Sequence, residues 1–461
     1  MRCLVMSGLE RIVHVIDLST TRLVLGQGVI GSYLIERFDQ ENVEYVVMDV
    51  GEGIAELPQF TLTTSNINSN LGVFRNSFLS KKAMVWGRGL MKIPEHEYSE
   101  SKHPITSETF KESIENACEF FLNRDSSLFQ PYKIGDDTFI DSLIIPKKRH
   151  DEFFFRRSKS LIEGYMAIEI IPENVGFTVR SINLKTGSEL KVFTRELFIT
   201  LGCVETVRLL LNSKALFGGE QTEIGQNWTD HVSCETASIF LAKGDQLQHI
   251  SPRKEDIRVY PRFYHDPQNS GGFFGRGGFS FLDFNPFAPP SSFKKRLQRK
   301  ISKYELATGH AVSKILLETD RSEDSYMELS GKTNGKIPRI HLNLNISGKF
   351  IESLNDNTRN FLDYLRSKDV ELTESLLSGE SFSNRLFDSL HPTGVLPVSS
   401  SPKVGAFDSN FEMHGNPGLF CFSTGLLPRA FSVQPTLSGV AFADMYLTRL
   451  FGKKRSSESE A

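Results

Sequence analysis

The stretch TRLVLGQGVIGSYLIERF, residues 21–38, decides the fold prediction. Three apolar residues indicate a short buried strand at residues 23–25, and Gly26, Gly28 and Gly31 follow before a predicted helix. In such a unit the first glycine permits a tight turn, the second lets the backbone approach a pyrophosphate, and the third lets the helix pack on the strand. The amides at the start of a helix also attract phosphate groups. The stretch therefore predicts a dinucleotide site.

The next predicted strand, EYVVMD, ends in Asp49, about twenty residues beyond the turn, where a carboxylate can accept hydrogen bonds from a ribose. Strand-to-helix turns also use glycine for steric reasons alone, so a turn without a ligand is the alternative interpretation. The turn does not distinguish NAD from FAD. The pair Val50-Gly51 resembles the end of this strand in many flavoproteins, which favours FAD.

Length, composition and charge narrow the class of protein. A chain of 461 residues predicts about two or three domains. The hydrophobic content of 39%, the charged content of 24% and the net charge of -3 are those of a globular protein without a general attraction to polyanions. We therefore expect no nucleic-acid partner.

The cysteines and the apolar runs indicate the compartment. An odd number of scattered cysteines without metal-binding spacing predicts reduced thiols and no metal site. These are Cys3, Cys118, Cys203, Cys234 and Cys421. Glu10, Arg11 and Asp17 interrupt the N-terminal apolar stretch, so it does not form a secretion signal. No apolar run approaches the roughly 18 residues of a membrane helix, and we predict a cytoplasmic protein.

Residues 160–212 predict a return to the first sheet. The runs GYMAIEIIP, GFTVRSINL and ELKVFTRELFITLG are separated by turn residues, which is typical of a β-meander. The last run leads through Gly202 into a predicted helix, VETVRLLLNS. We expect this strand and helix to join the sheet that begins at residue 23.

Three later segments resemble the glucose-methanol-choline (GMC) flavin oxidoreductases. The segment ITLGCVETVRLLLNS, residues 199–213, is similar to the family block A-G-x-x-E-T/S-x-R-L-L-L-x-S. The segment EIGQNWTDHVSC, residues 223–234, is similar to the V-G-x-N-x-x-D-H that follows it. Residues 391–450 resemble the C-terminal signature from H-P-x-G to the N-P-T-L-T that opens the last helix. With the glycine turn, these blocks extend along nearly the whole chain.

The resemblance implies an α/β fold. A doubly wound, Rossmann-like FAD-binding domain with a β-meander would carry an α+β substrate domain built on a mainly antiparallel sheet. The FAD-binding domain would be discontinuous, with residues 1–85, 150–235 and 391–461. The substrate-binding domain would take residues 86–149 and 236–390. The glycine turn would then hold the ADP half of FAD.

The resemblance also implies the chemistry, which is oxidation of an alcohol with hydride transfer to flavin N5 while a base takes the hydroxyl proton. His391 matches the histidine of H-P-x-G and is the expected base. The alternative for His391 is a hydrogen-bonded structural histidine. Gln434 stands where the family has His or Asn, and its amide can hydrogen-bond a substrate oxygen but cannot accept a proton.

Cofactor contacts follow from the same alignment of motifs. The residues that match them are Gly26, Gly28, Ile30, Gly31, Asp49, Trp86, Gly202, Glu205, Gly425, Pro435 and Thr436. The last helix would offer its N-terminal amides to the flavin ring at Pro435 and Thr436. Near Trp86 the family has a glycine pair where this chain has Lys81 and Lys82, which changes how closely the backbone can approach the flavin.

The substrate and the other binding partners are expected to contact the substrate-binding domain. The short chain and the H-P-x-G-x-x-P form resemble family members that act on sugars, so we expect a sugar or polyol hydroxyl and an unidentified electron acceptor. Residues 270–300 are rich in glycine, phenylalanine and basic residues, and they fit a lid with peripheral membrane contact. The alternative is a strand, a loop and the solvated face of a helix expected near residues 293–317.

Two other functions remain open. Gln434 and the altered loop also fit a catalytically weakened or non-redox flavin-binding protein of the same fold. An NAD-dependent dehydrogenase would use the same glycine turn, but it does not account for residues 391–450.

Overall fold

A computed structural model provides the structure of the chain. It describes residues 16–51, 61–65, 89–122, 132–134, 137–145, 150–151, 158, 160–218, 223–241, 258–265, 275–281, 309–334, 336–367, 371–375, 386–389 and 391–459. Trp86, Lys81, Lys82 and Cys3 lie outside these residues, as does most of the segment 270–300.

The described residues form six α-helices and nineteen strands. The helices in the described residues are α1 Val29–Gln40, α2 Glu95–Glu100, α3 Ser107–Leu122, α4 Cys203–Asn212, α5 Gly348–Ser367 and α6 Thr436–Ser459. The strands there are β1 Ile16–Leu25, β2 Val46–Asp49, β3 Thr61–Ser65, β4 Gly89–Leu90, β5 Tyr132–Ile134, β6 Asp137–Ile144, β7 Leu161–Glu163, β8 Tyr165–Pro172, β9 Phe177–Asn183, β10 Glu189–Ile199, β11 His231–Leu241, β12 Arg258–His265, β13 Gly275–Phe281, β14 Gly309–Glu318, β15 Tyr326–Asn334, β16 Ile337–Asn345, β17 Glu371–Ser375, β18 Leu386–Asp388 and β19 Leu419–Cys421.

The first sheet has the order β7-β2-β1-β10-β9-β8, and β19 pairs with β10. Strands β7, β2, β1, β10 and β19 are parallel, whereas β10, β9 and β8 form the antiparallel meander. Residues 23–25 of β1 are wholly buried because this strand lies between β2 and β10 in the parallel part of the sheet. The predicted strand at residues 23–25 was too short, since pairing with β10 extends it back to Ile16.

Helix α1 follows β1 directly, and residues 30–35 and Phe38 are buried. Ile30, Leu34 and Phe38 are buried at the four-residue spacing of a helix face. The unit β1, α1 and β2 is therefore the strand-helix-strand that the glycine turn predicts. The later strand β10 and helix α4 join the same sheet, as the sequence of residues 160–212 predicts.

The second sheet is antiparallel and has the order β17-β11-β14-β13-β12-β6-β4, with β18 on β11 and β5 on β6. The helix expected near residues 293–317 is wrong for residues 309–317, which belong to strand β14. The strand pairs with β11 on one edge and β13 on the other. Ile315 and Leu317 are buried while Leu316 is half-buried, the two-residue period of a strand.

A third sheet, β15-β16-β3, has a parallel pairing between β16 and β3. Gly225 connects it to the C-terminal part of the chain: its amide donates to Val395 O and its carbonyl accepts from Met327 N. The described strands of the first sheet all lie in the segments that were predicted to form the FAD-binding domain. The domain boundaries themselves remain a prediction.

Helix α6 closes the core by joining two helices distant in sequence. Tyr33 Oη on α1 donates to Asp444 Oδ1 at 2.6 Å, and Asn116 Nδ2 on α3 donates to Asp444 Oδ2 at 3.0 Å. Burial and the neighbouring Asp444 carboxylate raise the pKa of the Tyr33 phenol well above its usual range. Asp444 is therefore a buried carboxylate whose two oxygens both have donors.

The described residues also bear on the thiols and on membrane-spanning helices. Cys118, Cys203, Cys234 and Cys421 are free and buried. None of the helices in the described part of the chain combines the length and the apolar character of a membrane span.

We predict that Tyr33→Phe lowers the free energy of unfolding by about 2 kcal/mol, because it removes a buried hydrogen bond to a charged group. Tyr45→Phe is the matched control, since Tyr45 Oη donates to Asp39 Oδ1 at 2.7 Å in an exposed position, and we expect a loss below about 1 kcal/mol. Urea unfolding of the two variants measures the difference. Equal losses would show that the Asp444 contact does not contribute to holding α6.

Candidate active site

The glycine turn has two glycines that the fold requires and one that faces open space. Gly26 has a φ of +96°, and a Cβ there would lie 2.9 Å from Thr200 O. A Cβ on Gly31 would lie 2.1 Å from Gly26 O. A Cβ on Gly28 would meet no atom of the described residues within 4 Å. The backbone at Gly28 is thus open to a ligand, as a pyrophosphate site needs.

Asp49 lies at the end of β2 beside this turn. Its Oδ2 accepts from Gln27 N at 2.7 Å, and its Oδ1 accepts from Gly51 N at 2.8 Å. Both bonds come from the backbone, so they fix the carboxylate without using a side chain. Each carboxylate oxygen keeps a lone pair that can accept a hydroxyl.

A cleft opens beside Asp49. It lies at the carboxyl ends of β1 and β2, the edge of a parallel sheet where ligands bind in this class of fold. Leu25, Val50 and Tyr165 line it, together with the charged side chains of Glu205 and Arg208. The cleft therefore combines largely apolar walls with a few fixed polar groups.

Glu205 and Arg208 form a buried ion pair on α4. Arg208 Nε donates to Glu205 Oε2 at 2.8 Å, and Arg208 Nη2 donates to Ala167 O at 2.8 Å. Arg208 Nη1 is buried and has no hydrogen-bond partner among the described residues. A ligand oxygen or a water molecule in the cleft would satisfy it. Glu205 is predicted from the sequence, whereas Arg208 is not, although the R of the family block marks its position.

His391 is held by the segment that precedes β11. Thr229 and Thr393 exchange backbone hydrogen bonds of 3.1 and 2.9 Å, and their hydroxyl oxygens lie 2.8 Å apart. Asp230 Oδ1 accepts from the backbone N of both His231 and His391, at 2.7 and 2.9 Å. One buried carboxylate thus anchors two segments that are far apart in sequence.

The side chains of His231 and His391 meet through their Nδ1 atoms, which are 3.0 Å apart, with the ring planes at 88°. His231 is wholly buried, and its Nε2 lies 2.6 Å from Phe431 O. His391 is half-buried. His231 lies in the D-H motif, but the sequence predicts no role for it, because its partner lies outside any local pattern.

The loop before α6 is held by two buried carboxylates. Glu318 on β14 binds the Arg429 guanidinium through both oxygens, and its Oε2 also accepts from Phe431 N at 3.0 Å. Glu97 on α2 accepts from Ser432 N at 2.9 Å and from Ser432 Oγ at 2.5 Å. Phe431 has a φ of +59°, a left-handed conformation that these contacts hold in place.

Gln434 follows this loop and packs on Gly89. A Cβ on Gly89 would lie 2.2 Å from Gln434 Oε1, so a larger residue there would have to displace the end of the Gln434 side chain. Gln434 Oε1 is buried and has no hydrogen-bond partner among the described residues. An amide in this setting can bind one further polar group.

A series of contacts links His391 to the start of α1. Thr424 Oγ1 donates to Pro392 O at 2.9 Å. A Cβ on Gly439 would lie 3.5 Å from Thr424 N and 2.6 Å from Ile30 Cδ1. The structure therefore brings the H-P-x-G segment, α6 and the dinucleotide turn together.

The other predicted cofactor residues lie at helix starts. Gly202, with a φ of +82°, precedes α4, and Pro435 and Thr436 begin α6. A Cβ on Gly425 would lie 3.2 Å from Cys203 Sγ at the start of α4. Trp86 lies outside the described residues. Within the part of the chain that is described, no group of three or more His, Cys, Asp or Glu side chains is arranged to hold a metal ion.

His103 lies behind the loop as a neutral histidine. Its Nδ1 accepts from Tyr98 Oη at 3.0 Å, and its Nε2 donates to Leu426 O at 3.3 Å. Burial lowers the pKa of His103 to about 4. An uncharged imidazole here connects α2 to the residues before α6.

Comparisons with known proteins identify the C-terminal part of the chain. Residues 320–443 match the family model described as GMC oxidoreductase, at the C-terminal domain. The match confirms, for these residues, the resemblance seen in the sequence. No curated protein sequence matches the chain.

Two solved structures share the fold. One is described as pyridoxine 4-oxidase from Mesorbium loti, with a TM-score of 0.60 and 12% identity, covering 94% of this chain and 99% of the other. The other is described as formate oxidase, also with a TM-score of 0.60 and 12% identity, covering 96% of this chain and 100% of the other. At this identity the likeness shows the fold, and the predicted α/β class is confirmed.

We predict that His103 makes stability depend on pH. Between pH 4 and 6.5 the unfolded chain binds a proton at His103 that the folded protein excludes, so the free energy of unfolding falls as the pH is lowered. The fall is at most about 1.4 kcal/mol per pH unit. Urea unfolding at pH 5 and 7 should show a smaller difference for His103→Gln than for the unaltered protein. His96→Gln, on the exposed side of α2, is the control, and an unchanged difference for His103→Gln would contradict the assignment.

Proposed function

We propose that this chain, whose residues 320–443 match the GMC oxidoreductase family model, oxidises an alcohol hydroxyl to a carbonyl with bound FAD. The observation that supports this most is the contact series from Pro392, the residue after His391, through Thr424 and Gly439 to Ile30. It joins the backbone beside His391 to the turn expected to bind the dinucleotide. A base and a hydride acceptor must share one site for this reaction.

The residues of the turn and the cleft fit FAD. The open backbone at Gly28 and the N-terminus of α1 suit a pyrophosphate. Asp49 suits the ribose hydroxyls, and Arg208 Nη1 is a buried donor that a ligand in the cleft would satisfy. Pro435 and Thr436, at the start of α6, would direct helix amides to the flavin ring. Bound FAD would supply the hydride acceptor.

The chain's own residues would then do the rest of the chemistry. His391 would take the hydroxyl proton of the substrate through its neutral imidazole. Gln434 would donate a hydrogen bond from its amide nitrogen to the substrate oxygen, which leaves the hydroxyl proton for His391. Removal of the proton increases the charge on the substrate oxygen and so favours hydride loss from the adjacent carbon.

The substrate class is the finer part of the proposal. The two structural neighbours are described as oxidases of pyridoxine and of formate, which are both small molecules. The form H-P-x-G-x-x-P at residues 391–397 supports a sugar or polyol hydroxyl. The electron acceptor, the cytoplasmic location and a peripheral membrane contact of residues 270–300 remain expectations from the sequence.

A non-redox flavin-binding protein of the same fold is the second candidate. Gln434 favours it, since an amide replaces a residue type that in many family members can take a proton. Anaerobic mixing with a panel of sugars and polyols separates the two functions. Bleaching of the flavin absorbance without added nicotinamide supports the oxidoreductase and excludes an NAD-dependent reaction. A flavin that no alcohol reduces supports the second candidate.

We predict opposite results for alanine at two glycines of the turn. Gly28→Ala should fold with unchanged stability but lose most bound FAD, because its methyl group enters only the space of the ligand. Gly31→Ala should lose stability even without FAD, because its Cβ would overlap Gly26 O. Flavin absorbance and thermal unfolding of the apoprotein measure the two effects. Normal FAD content in Gly28→Ala would contradict the location of the pyrophosphate.

We predict that His391→Ala keeps bound FAD but slows flavin reduction about 100- to 10,000-fold. The matched control is His414→Ala. His414 is half-buried, lies in the same C-terminal region and hydrogen-bonds Ser399 O at 2.8 Å, outside the site. Stopped-flow absorbance under anaerobic conditions measures the reduction rate. A nearly normal rate in His391→Ala would remove this residue from the role of base.

A further inference from the structure

We propose that His231 is a positioning residue that holds the proton of the His391 imidazole on Nδ1 and leaves the lone pair on Nε2. The proposal rests on the proposed function in one respect, which is that His391 acts as the base. The arrangement of the protons itself is a property of the folded protein and can be measured without a substrate.

The first step concerns the proton of His231. Its Nε2 lies 2.6 Å from Phe431 O, and a carbonyl oxygen can only accept a hydrogen bond. The proton of a neutral His231 therefore lies on Nε2. Phe431 O is held in place because Glu318 accepts from Phe431 N and binds the neighbouring Arg429.

The second step concerns His391. With its proton on Nε2, neutral His231 has a lone pair on Nδ1, which lies 3.0 Å from His391 Nδ1. Two lone pairs at that distance would repel, so His391 must donate from Nδ1. The ring planes at 88° are compatible with a bond in the plane of each imidazole. A neutral His391 then has its lone pair on Nε2.

The third step concerns the reaction. In the proposed reaction the substrate O–H bond would break and an Nε2–H bond would form on His391. Bound FAD would supply the acceptor for the hydride of the adjacent carbon. The resulting imidazolium still donates from Nδ1 to His231, which stabilises its positive charge. His231 stays neutral and takes no proton. A hydrogen-bond acceptor at Nδ1 fixes the tautomer and the orientation of a catalytic histidine. Here the acceptor would be a buried imidazole.

Asp230 holds the backbone of His391 independently of the His231 side chain. Its Oδ1 accepts from the backbone N of both His231 and His391. These bonds do not involve either imidazole, and the bridge between Thr229 and Thr393 adds to them. Replacing the His231 side chain should therefore leave the backbone of His391 in place and change mainly the position of its proton.

The first experiment reads the protonated nitrogen directly. The FAD-bound protein is labelled with ¹⁵N-histidine, and two-bond ¹H–¹⁵N spectra assign His391 by comparison with His391→Asn. We expect a protonated Nδ1 and an unprotonated Nε2 in the unaltered protein. His231→Phe, which has a ring of similar size but no acceptor, should abolish this single form and produce a mixture. His231→Gln should keep it, since its amide can donate to Phe431 O and accept from His391.

The second experiment measures flavin reduction with an alcohol that reduces the unaltered protein. His231→Phe should slow the reduction step about 100-fold without changing FAD content or the substrate concentration at half-maximal rate. His231→Gln should remain within about tenfold of the original rate. The control is Asn357→Leu, which removes the buried hydrogen bonds to Ser353 in α5. It should lower stability and leave both the spectrum and the rate unchanged.

The outcomes separate the two proposals. A proton on Nε2 of His391 in the unaltered protein, or the same spectrum in His231→Phe, would overturn the assignment of His231 whatever the activity. Equal losses of rate in His231→Phe and His231→Gln would overturn it as well. A spectrum as expected in a protein whose flavin no alcohol reduces would support the proton arrangement and reject the proposed function instead.

Discussion

The parallel pairing of β10 with both β1 and β19 is the interaction on which the rest of the structure depends. Leu25 pairs with Ile199, and Ile199 pairs with Cys421, so three strands from distant parts of the chain end together at one edge. Because the strands are parallel, their carboxyl ends lie at that edge, where the glycine turn and α4 also begin. Helix α6 then reaches α1, and Asp444 completes the contact through Tyr33.

Buried carboxylates hold the loops that this pairing brings together. Asp230, Glu318 and Glu97 are almost fully buried, and each accepts hydrogen bonds from backbone N–H groups. A buried charge is costly unless donors surround it, so each of these side chains requires a particular path of the chain around it. The paths they require include those of His391 and Phe431. The polar core and the proposed catalytic geometry are thus one network.

Features that depend on residues close together in the sequence could be predicted from it. Features that depend on contacts between distant residues could not. Gly26 and Gly31 are needed by the turn that contains them, so their spacing indicated the fold correctly. Residues 309–317 were expected to be helical, and the pairing of β14 on both edges made them a strand. A role for His231 could not be predicted, because its contact with His391 spans 160 positions of the chain. Arg208 was missed although its motif was quoted, since nothing in the sequence shows which of its nitrogens lacks a partner.

The sequence by itself determined the α/β class, the strand-turn-helix unit at the glycines and the family resemblance of the C-terminal region, because each depends on short-range spacing of glycine, apolar residues and a few polar residues. Only the tertiary structure decided which side chains meet: Asp230 with two backbone segments, His231 with His391, and Gln434 with Gly89. The physical reason is that hydrogen bonds act over about 3 Å in space and are indifferent to separation along the chain.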